Sequence, residues 1–163
     1  MKLRILTAAL LTVLPLHAAE KPARRSTAAA QPIPNELIDY PTYLRIAREV
    51  QPLREKRRLT EEQFAAMAAE PSTVVLDARS ADKFRLRHIK GAVSLPFTDF
   101  TADSLAKVLP EKTTRVLIYC NNNFRGAPVS LATYGYTNVF ELGPLLDVKT
   151  TKLIMEGEEV GRE

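Results

Sequence analysis

The chain has 163 residues, of which 45% are hydrophobic and 26% are charged, so it is long enough to bury a core and has the composition of a globular protein. Its formal net charge of +4 is too small to indicate a nucleic-acid-binding protein, and two of the positive charges lie in the first 19 residues. The single cysteine excludes an internal disulfide bond and a cysteine-rich zinc site, and the presence of only two histidines argues against a histidine-based metal site.

Residues 1–19 have the features of a secretory signal peptide. Lys2 and Arg4 give a positive start, and residues 5–16 form an apolar stretch that is too short for a stable membrane anchor. Ala18 and Ala19 follow, and we expect cleavage after one of them. A buried N-terminal helix is the alternative, but the pattern favours export and therefore a periplasmic or secreted mature protein. A lone thiol is unusual in such an oxidising compartment, which favours a chemical role for it.

Two segments are predicted between this leader and the main domain. Residues 20–34 are rich in Ala, Pro, Ser, Thr and Arg, which predicts a flexible linker. Residues 35–58 have apolar side chains at helical spacing and predict a helical extension, which Pro41 and Pro52 are expected to break into pieces. The basic residues within 54–58 are interpreted as a solvated helix end, with a surface for an anionic partner as the alternative.

Apolar runs typical of strands alternate with helical patterns in the rest of the chain. The expected strands are residues 74–76, 92–95, 116–119 and 138–142. Helices are expected to begin near Thr60, where Gln63 completes a capping box, near Ser80, at Thr101 or Asp103, and near Pro128. This alternation predicts an α/β domain over residues 59–155, with a mostly parallel central sheet and helices on both faces. Residues 156–163 are expected to form a frayed tail.

The only cysteine, Cys120, follows the strand predicted at residues 116–119. In parallel sheets, ligands bind at this carboxyl end of the strands. The residues that come next are Asn121, Asn122, Asn123, Phe124, Arg125 and Gly126. Asn and Gly tolerate left-handed backbone angles, so we expect a tight loop whose N–H groups, together with the following helix, favour a thiolate. Arg125 is placed to hold an anionic substrate. A buried structural cysteine is the alternative interpretation.

Five blocks of this sequence resemble the rhodanese domain in their order and spacing. They are Val-Leu-Asp-Ala-Arg at 75–79, Phe84, His-Ile-Lys-Gly-Ala-Val-Ser-Leu-Pro at 88–96, Val-Leu-Ile-Tyr-Cys at 116–120 and Gly-Tyr-Thr-Asn-Val at 135–139. The resemblance covers roughly residues 59–146. The spacing from Cys120 to Arg125 resembles the six-residue active loop of rhodaneses, whereas related cell-cycle phosphatases of the dual-specificity type have a loop one residue longer. The segment at 141–146 also resembles an exported bacterial subgroup.

The resemblance implies a sulfurtransferase, with thiosulfate sulfurtransferase as the favoured type. Cys120 would be the catalytic residue that attacks a sulfane sulfur donor and becomes a persulfide, and a nucleophilic acceptor would take the terminal sulfur. The expected substrate-binding residues are Asn121, Asn122, Asn123, Phe124 and Arg125. The expected partners are a small anionic donor such as thiosulfate and a protein sulfur acceptor. We expect no metal, no organic cofactor, no nucleic acid and no membrane contact after leader removal.

The other motif residues have structural interpretations. Asp77 and Arg79 resemble the Asp-x-Arg of the family, and a partly buried charge pair that ties the strand to the loop is favoured over catalysis. His88 is interpreted as a hydrogen-bonding turn residue, and Tyr119 is expected either to line the pocket or to pack. The sequence departs from the family at Asn123, where many active members have Gly, in the shorter stretch that follows Cys120, and at 143–145.

Two other functions remain open from the sequence. The first is a binding or redox-sensor module that keeps the fold with little turnover, which the Asn-rich loop and the basic residues within 54–58 favour slightly. The second is an arsenate reductase or phosphatase of the related fold. The short loop argues against this second function, because tetrahedral oxyanions need the larger ring.

Overall fold

The computed structural model describes residues 39–121 and 126–161. The predicted leader at 1–19, the linker at 20–34 and the start of the helical extension lie outside this part of the chain. Four of the predicted substrate-binding residues, Asn122, Asn123, Phe124 and Arg125, also lie outside it.

Strands and helices alternate along the described chain. The strands are β1 (Arg58–Leu59), β2 (Thr73–Asp77), β3 (His88–Ile89), β4 (Val93–Ser94), β5 (Arg115–Tyr119), β6 (Val139–Leu142) and β7 (Met155–Glu156). The helices are α1 (Tyr40–Lys56), α2 (Glu61–Ala68), α3 (Ala81–Leu86), a 3₁₀ turn (Phe97–Asp99), α4 (Ala102–Val108) and α5 (Ala127–Thr133). Within 39–121 and 126–161, no helix has the length and apolar composition needed to cross a membrane.

A five-stranded parallel sheet lies at the centre in the order β1-β6-β5-β2-β4. Its strands bury two clusters of apolar side chains, one on each face. One cluster contains Leu105 and Leu109 of α4 and Leu131 of α5, and the other contains Phe64 of α2. The predicted α/β class, with a mostly parallel sheet and helices on both faces, is confirmed. β3 and β7 form a separate antiparallel pair.

The local signals at two helix starts agree with the structure. The Thr60 side chain accepts a hydrogen bond from Gln63 N, and Gln63 Oε1 accepts one from Thr60 N at 2.9 Å, so the predicted capping box is confirmed. α4 begins after Thr101, whose hydroxyl accepts a hydrogen bond from Ser104 N at 3.1 Å. These caps satisfy N–H groups that have no partner inside the helix.

The prediction that Pro41 and Pro52 break the first helix is wrong, because α1 runs unbroken from Tyr40 to Lys56. Pro41 lies in the first turn, where the missing N–H would have had no partner within the helix. Asp39 caps this end by accepting a hydrogen bond from Thr42 N at 3.0 Å. Pro52 lies inside the helix, and packing of α1 against α5 offsets its local cost.

The expected frayed tail is also corrected for residues 156–161. Glu156 belongs to β7 and pairs with His88 of β3. Farther along, Glu158 N and Glu159 N donate hydrogen bonds to the carbonyls of Arg85 and Leu86 at 3.1 and 3.0 Å. The C-terminal segment is therefore bound along α3 and β3 by backbone hydrogen bonds that a residue-by-residue pattern does not reveal.

Candidate active site at Cys120

Cys120 directly follows β5, which lies between β6 and β2 in the sheet. The preceding side chains of Val116, Leu117 and Ile118 are buried, so the strand is fixed by its packing. Ala78 N donates a hydrogen bond of 3.1 Å to the carbonyl of Tyr119, which attaches the end of β5 to the end of β2. Cys120 is partly buried and packs against the cluster on the α4 and α5 face. It therefore stands at the carboxyl edge of the sheet, as the sequence predicts.

The loop after Cys120 leads into α5 through Gly126. Asn121, the one predicted substrate-binding residue in the described chain, is exposed. A Cβ atom added to Gly126 would lie 3.2 Å from Cζ of Phe97, so the glycine leaves room for that ring. Phe97 N donates a hydrogen bond of 3.1 Å to the carbonyl of Ala78. Phe97 thus borders the far end of the loop, although the sequence reasoning did not select it. The sequence signal that could have indicated Phe97 is its position three residues after β4, near the carboxyl edge of the predicted sheet.

The Asp77–Arg79 pair forms a buried clamp beside the site. Asp77 is fully buried and Arg79 is 5% exposed. Arg79 Nη2 lies 2.6 Å from Asp77 Oδ2 and donates to the carbonyl of Arg87 at 2.7 Å, and Arg79 Nε lies 3.0 Å from Asp77 Oδ1. These contacts join the end of β2 to the start of β3. They agree with the structural interpretation of this pair.

Tyr119 packs on the face opposite Cys120. Its ring belongs to the cluster that contains Phe64, and its hydroxyl accepts a hydrogen bond from Ile89 N at 3.2 Å. Burial and the neighbouring Asp77 carboxylate raise the pKa of Tyr119 far above its usual value. The residue is therefore a neutral structural group at the end of β5.

His88 is a hydrogen-bonding turn residue, in agreement with the sequence interpretation. Its Nδ1 lies 2.7 Å from the carbonyl of Phe84, and its Nε2 lies 3.1 Å from Glu156 Oε1. The ring also stacks on Phe84, with the centroids 3.7 Å apart. Glu156 accepts a further hydrogen bond from Gly91 N, and this bond, followed by that to His88, lowers the pKa of Glu156. His88 thereby links α3 to β7.

A second ion pair, with a buried carboxylate and a partly buried guanidinium, lies on the Cys120 face of the sheet. Glu141 of β6 is 4% exposed, and its Oε1 lies 2.8 Å from Arg54 Nε and 3.7 Å from Arg58 Nε. Arg54 and Arg58 belong to the segment interpreted as a solvated helix end, and that interpretation is wrong for Arg54, whose guanidinium reaches the buried carboxylate. Glu141 was not among the site residues predicted from the sequence.

Glu141 and Cys120 line the same small cavity. Its other lining residues are Ile118, Tyr119, Ala127 and Pro128. A larger groove of about 330 Å³ lies on the other side of Glu141, between α1, α5 and β6. That groove does not include Cys120, and the two concavities share Pro128 and Glu141. Among the residues that the structure describes, no group of three His, Cys, Asp or Glu side chains could hold a metal ion.

Cys120 lies within the part of the chain that matches a known protein family. The Rhodanese-like domain family matches residues 60–143, which include α2, Cys120 and β6. A crystal structure of the Alr3790 protein from Anabaena sp. is 25% identical, with a TM-score of 0.54 over 64% of this chain and 96% of that one. A solution structure of the rhodanese-like domain of the same protein is 23% identical, with a TM-score of 0.57 over 66% and 83% of the two chains. No curated protein matches this chain.

Proposed function

Because the chain belongs to the rhodanese-like domain family, we propose that it transfers sulfane sulfur from an anionic donor such as thiosulfate to a nucleophilic acceptor through a persulfide on Cys120. The position of Cys120 carries this proposal. The only cysteine of the chain is partly exposed and follows the central strand β5 at the carboxyl edge of the sheet. Ligands bind at this edge in parallel sheets, and reactive cysteines are partly exposed, whereas structural ones are buried and inert.

The proposed reaction has two displacement steps. The Cys120 thiolate attacks the sulfane sulfur of thiosulfate, a bond forms between Sγ and that sulfur, and the original sulfur–sulfur bond breaks as sulfite leaves with the electron pair. A nucleophilic acceptor then attacks the terminal sulfur of the persulfide and takes it away. The bond to Sγ breaks and the thiolate is regenerated. No external oxidant or reductant is consumed.

The proposed substrate loop consists of Asn121, Asn122, Asn123, Phe124 and Arg125. In this proposal, backbone N–H groups of the loop stabilise the thiolate and the persulfide, and the forked guanidinium of Arg125 binds the anionic end of the donor. The rigid surroundings in the described chain support such a site, because the Asp77–Arg79 clamp and the hydrogen bond from Ala78 to Tyr119 fix the edge from which the loop starts. A protein acceptor and an exported location complete the proposal.

The direct test is the intact mass of the purified mature chain after exposure to thiosulfate. We expect the wild-type protein to gain one sulfur atom and to lose it on addition of cyanide, which acts as the acceptor. The matched Cys120→Ser variant, which changes only the sulfur atom, should remain folded and gain nothing.

Two outcomes would overturn the proposal. A sulfur that remains on the Cys120→Ser variant would mean that another group carries it. A folded wild-type protein that gains no sulfur would exclude thiosulfate transfer and favour the binding or redox-sensor alternative, for which oxidation of Cys120 by peroxide would be the next measurement.

A further inference from the structure

We propose that Arg54 and Glu141 form a partly buried positioning pair that tunes the charge around Cys120, so that the helix preceding the family-matched region controls the reactivity of the thiol. This inference deepens the proposed function and rests on Cys120 being its reacting group. Neither residue is assigned a role by the resemblance to rhodaneses on which the site was predicted. Both act through Cys120 and are positioning residues in this proposal.

The register of the sheet places Glu141 on the same face as Cys120. Ile118 of β5 pairs with Glu141 of β6, and side chains of paired residues in a sheet point to the same face. Cys120 follows Ile118 by two residues and returns to that face, where it packs against the same cluster as Ile118. From strand spacing and rise, the Cα atoms of Cys120 and Glu141 are about 8 Å apart. The small cavity that both residues line is consistent with this placement.

The charges that face this carboxylate come from α1 and β1. Arg54 of α1 lies 2.8 Å from Glu141 Oε1, and its side chain is 29% exposed. Arg58 pairs with Glu141 in the strand register, but its Nε is 3.7 Å away and its side chain is 48% exposed. Arg54 is therefore the nearer and more buried of the two cations.

Among the other described elements on this face, α4 carries Asp103 and Lys107, and both are exposed to solvent. α5 contains no charged residue between Ala127 and Thr133. The Asp77–Arg79 clamp lies with Tyr119 on the opposite face, where its two charges are paired with each other. Arg57 of the same basic segment lies over the Phe140 ring and donates a hydrogen bond to the Thr137 carbonyl. Among the described residues on this face, Glu141 and the cations that neutralise it are therefore the charges nearest the thiol. Arg125 of the proposed substrate loop is the same in every variant compared below.

Opposite effects follow for the two members of the pair. A carboxylate near a thiol opposes the thiolate by like-charge repulsion, and this repulsion is stronger in a partly buried site than in water. The Arg54 guanidinium cancels much of that repulsion. Removal of Arg54 should therefore make the thiolate less favourable, whereas removal of the Glu141 charge should make it more favourable. Removal of both charges should leave the thiol close to its original state.

The test is the pH profile of Cys120 alkylation by iodoacetamide, a neutral reagent, in the same mature chain that is used for the sulfur-uptake test. The four proteins are wild type, Arg54→Met, Glu141→Gln and the double variant. We expect the profile to move to higher pH in Arg54→Met and to lower pH in Glu141→Gln, each by about half a unit or more. In the double variant, we expect it to return to within about 0.2 unit of the wild-type profile.

Matched controls separate this effect from general changes in charge or folding. Arg45 and Glu49 form an exposed ion pair on the same helix, 2.9 Å apart. Arg45→Met and Glu49→Gln make the same chemical changes there and should leave the alkylation profile in place. If Arg54→Met does not fold, Arg58→Met provides the second measurement, with a smaller shift in the same direction because its Nε is farther from Glu141.

The proposal fails if the single variants are folded and their profiles do not move, or if both move in the same direction. A merely structural pair predicts loss of stability without opposite shifts. The alkylation readout also separates this inference from the proposed function. Absence of sulfur uptake from thiosulfate would overturn the transfer reaction, while opposite alkylation shifts would still demonstrate the positioning pair.

Discussion

At the residue scale, ion pairs lie near Cys120 on both faces of the sheet, and each contains a buried carboxylate. Asp77 and Arg79 lie on the Tyr119 face, and Arg54 and Glu141 lie on the Cys120 face. Burying charges costs much of what their attraction returns, so such pairs add little net stability compared with apolar residues. Loss of one partner is costly, however, because the other remains as a buried charge. The main role of these pairs is therefore to hold the segments around the end of β5 in fixed positions.

The Asp77–Arg79 clamp gives a direct stability prediction. Asp77→Asn should lower the free energy of unfolding by about 3–5 kcal/mol, because it leaves Arg79, which is 5% exposed, without its anionic partner. Urea unfolding followed by circular dichroism measures this loss. The matched control is Asp82→Asn, since Asp82 is 87% exposed and lies 3.9 Å from Arg85, and we expect a change below about 1 kcal/mol. Equal small losses in both variants would contradict the assigned role of the clamp.

The two pairs differ in how far the sequence could predict them. Asp77 and Arg79 are two residues apart, and the resemblance of this short motif to the rhodanese pattern predicts a partly buried pair; the structure buries both residues. Arg54 and Glu141 are far apart in sequence and meet only because α1 packs against α5 and β6 lies beside β1. A basic helix end and a glutamate near a strand end are common features by themselves. Their pairing depends on the sheet order, which local pattern does not contain.

At the scale of elements, strong local signals predicted strands and helix starts, while weak elements were missed. Two of these signals are local: the apolar run predicts β5, and the capping box at Thr60 predicts the start of α2. Each depends only on a few neighbouring residues. β7 is only two residues long and exists because it pairs with β3. α1 likewise continues through Pro52 because tertiary packing overrides a local penalty. Both β7 and the unbroken α1 therefore depend on contacts between segments that are distant in sequence.

The C-terminal segment depends on Gly157. Its φ of +132° suits glycine alone, and an added Cβ would lie 2.5 Å from the Leu86 carbonyl oxygen. Gly157→Ala should therefore separate β7 and the residues after it from α3 and β3. We expect it to lower the free energy of unfolding by about 2 kcal/mol and to speed cleavage of this segment in limited proteolysis.

Gly161→Ala is the matched control for this substitution. Gly161 also has a positive φ, of +82°, but nothing lies within 4 Å of an added Cβ. This variant should show only the smaller cost of backbone strain, about 1 kcal/mol. If the two variants lose equal stability and are cleaved equally slowly, the close approach to Leu86 does not hold the segment in place.

At the scale of the whole molecule, the family-matched region does not contain all of the proposed site. The family match begins at residue 60, whereas α1 ends at Lys56. Arg54 of α1 pairs with Glu141, which lines the same cavity as Cys120. The helix that was predicted as an extension is therefore an integrated layer that packs on α5 and β6. α1 belongs to one compact unit with the family-matched region, and in the proposal its Arg54 completes the surroundings of Cys120.

The proposed location of this unit follows from residues 1–19, and cell fractionation can test it. When the full chain is produced in a Gram-negative bacterium, we expect the protein in the periplasmic fraction, with an intact mass that begins after Ala18 or Ala19. A chain that starts at Glu20 after an initiator Met is the control, and it should stay in the cytosol. Full-length protein in the cytosol would contradict export. That outcome would also remove the argument that a lone thiol is unusual in an oxidising compartment. The sulfur-uptake test uses purified protein, so its result would be valid for either location.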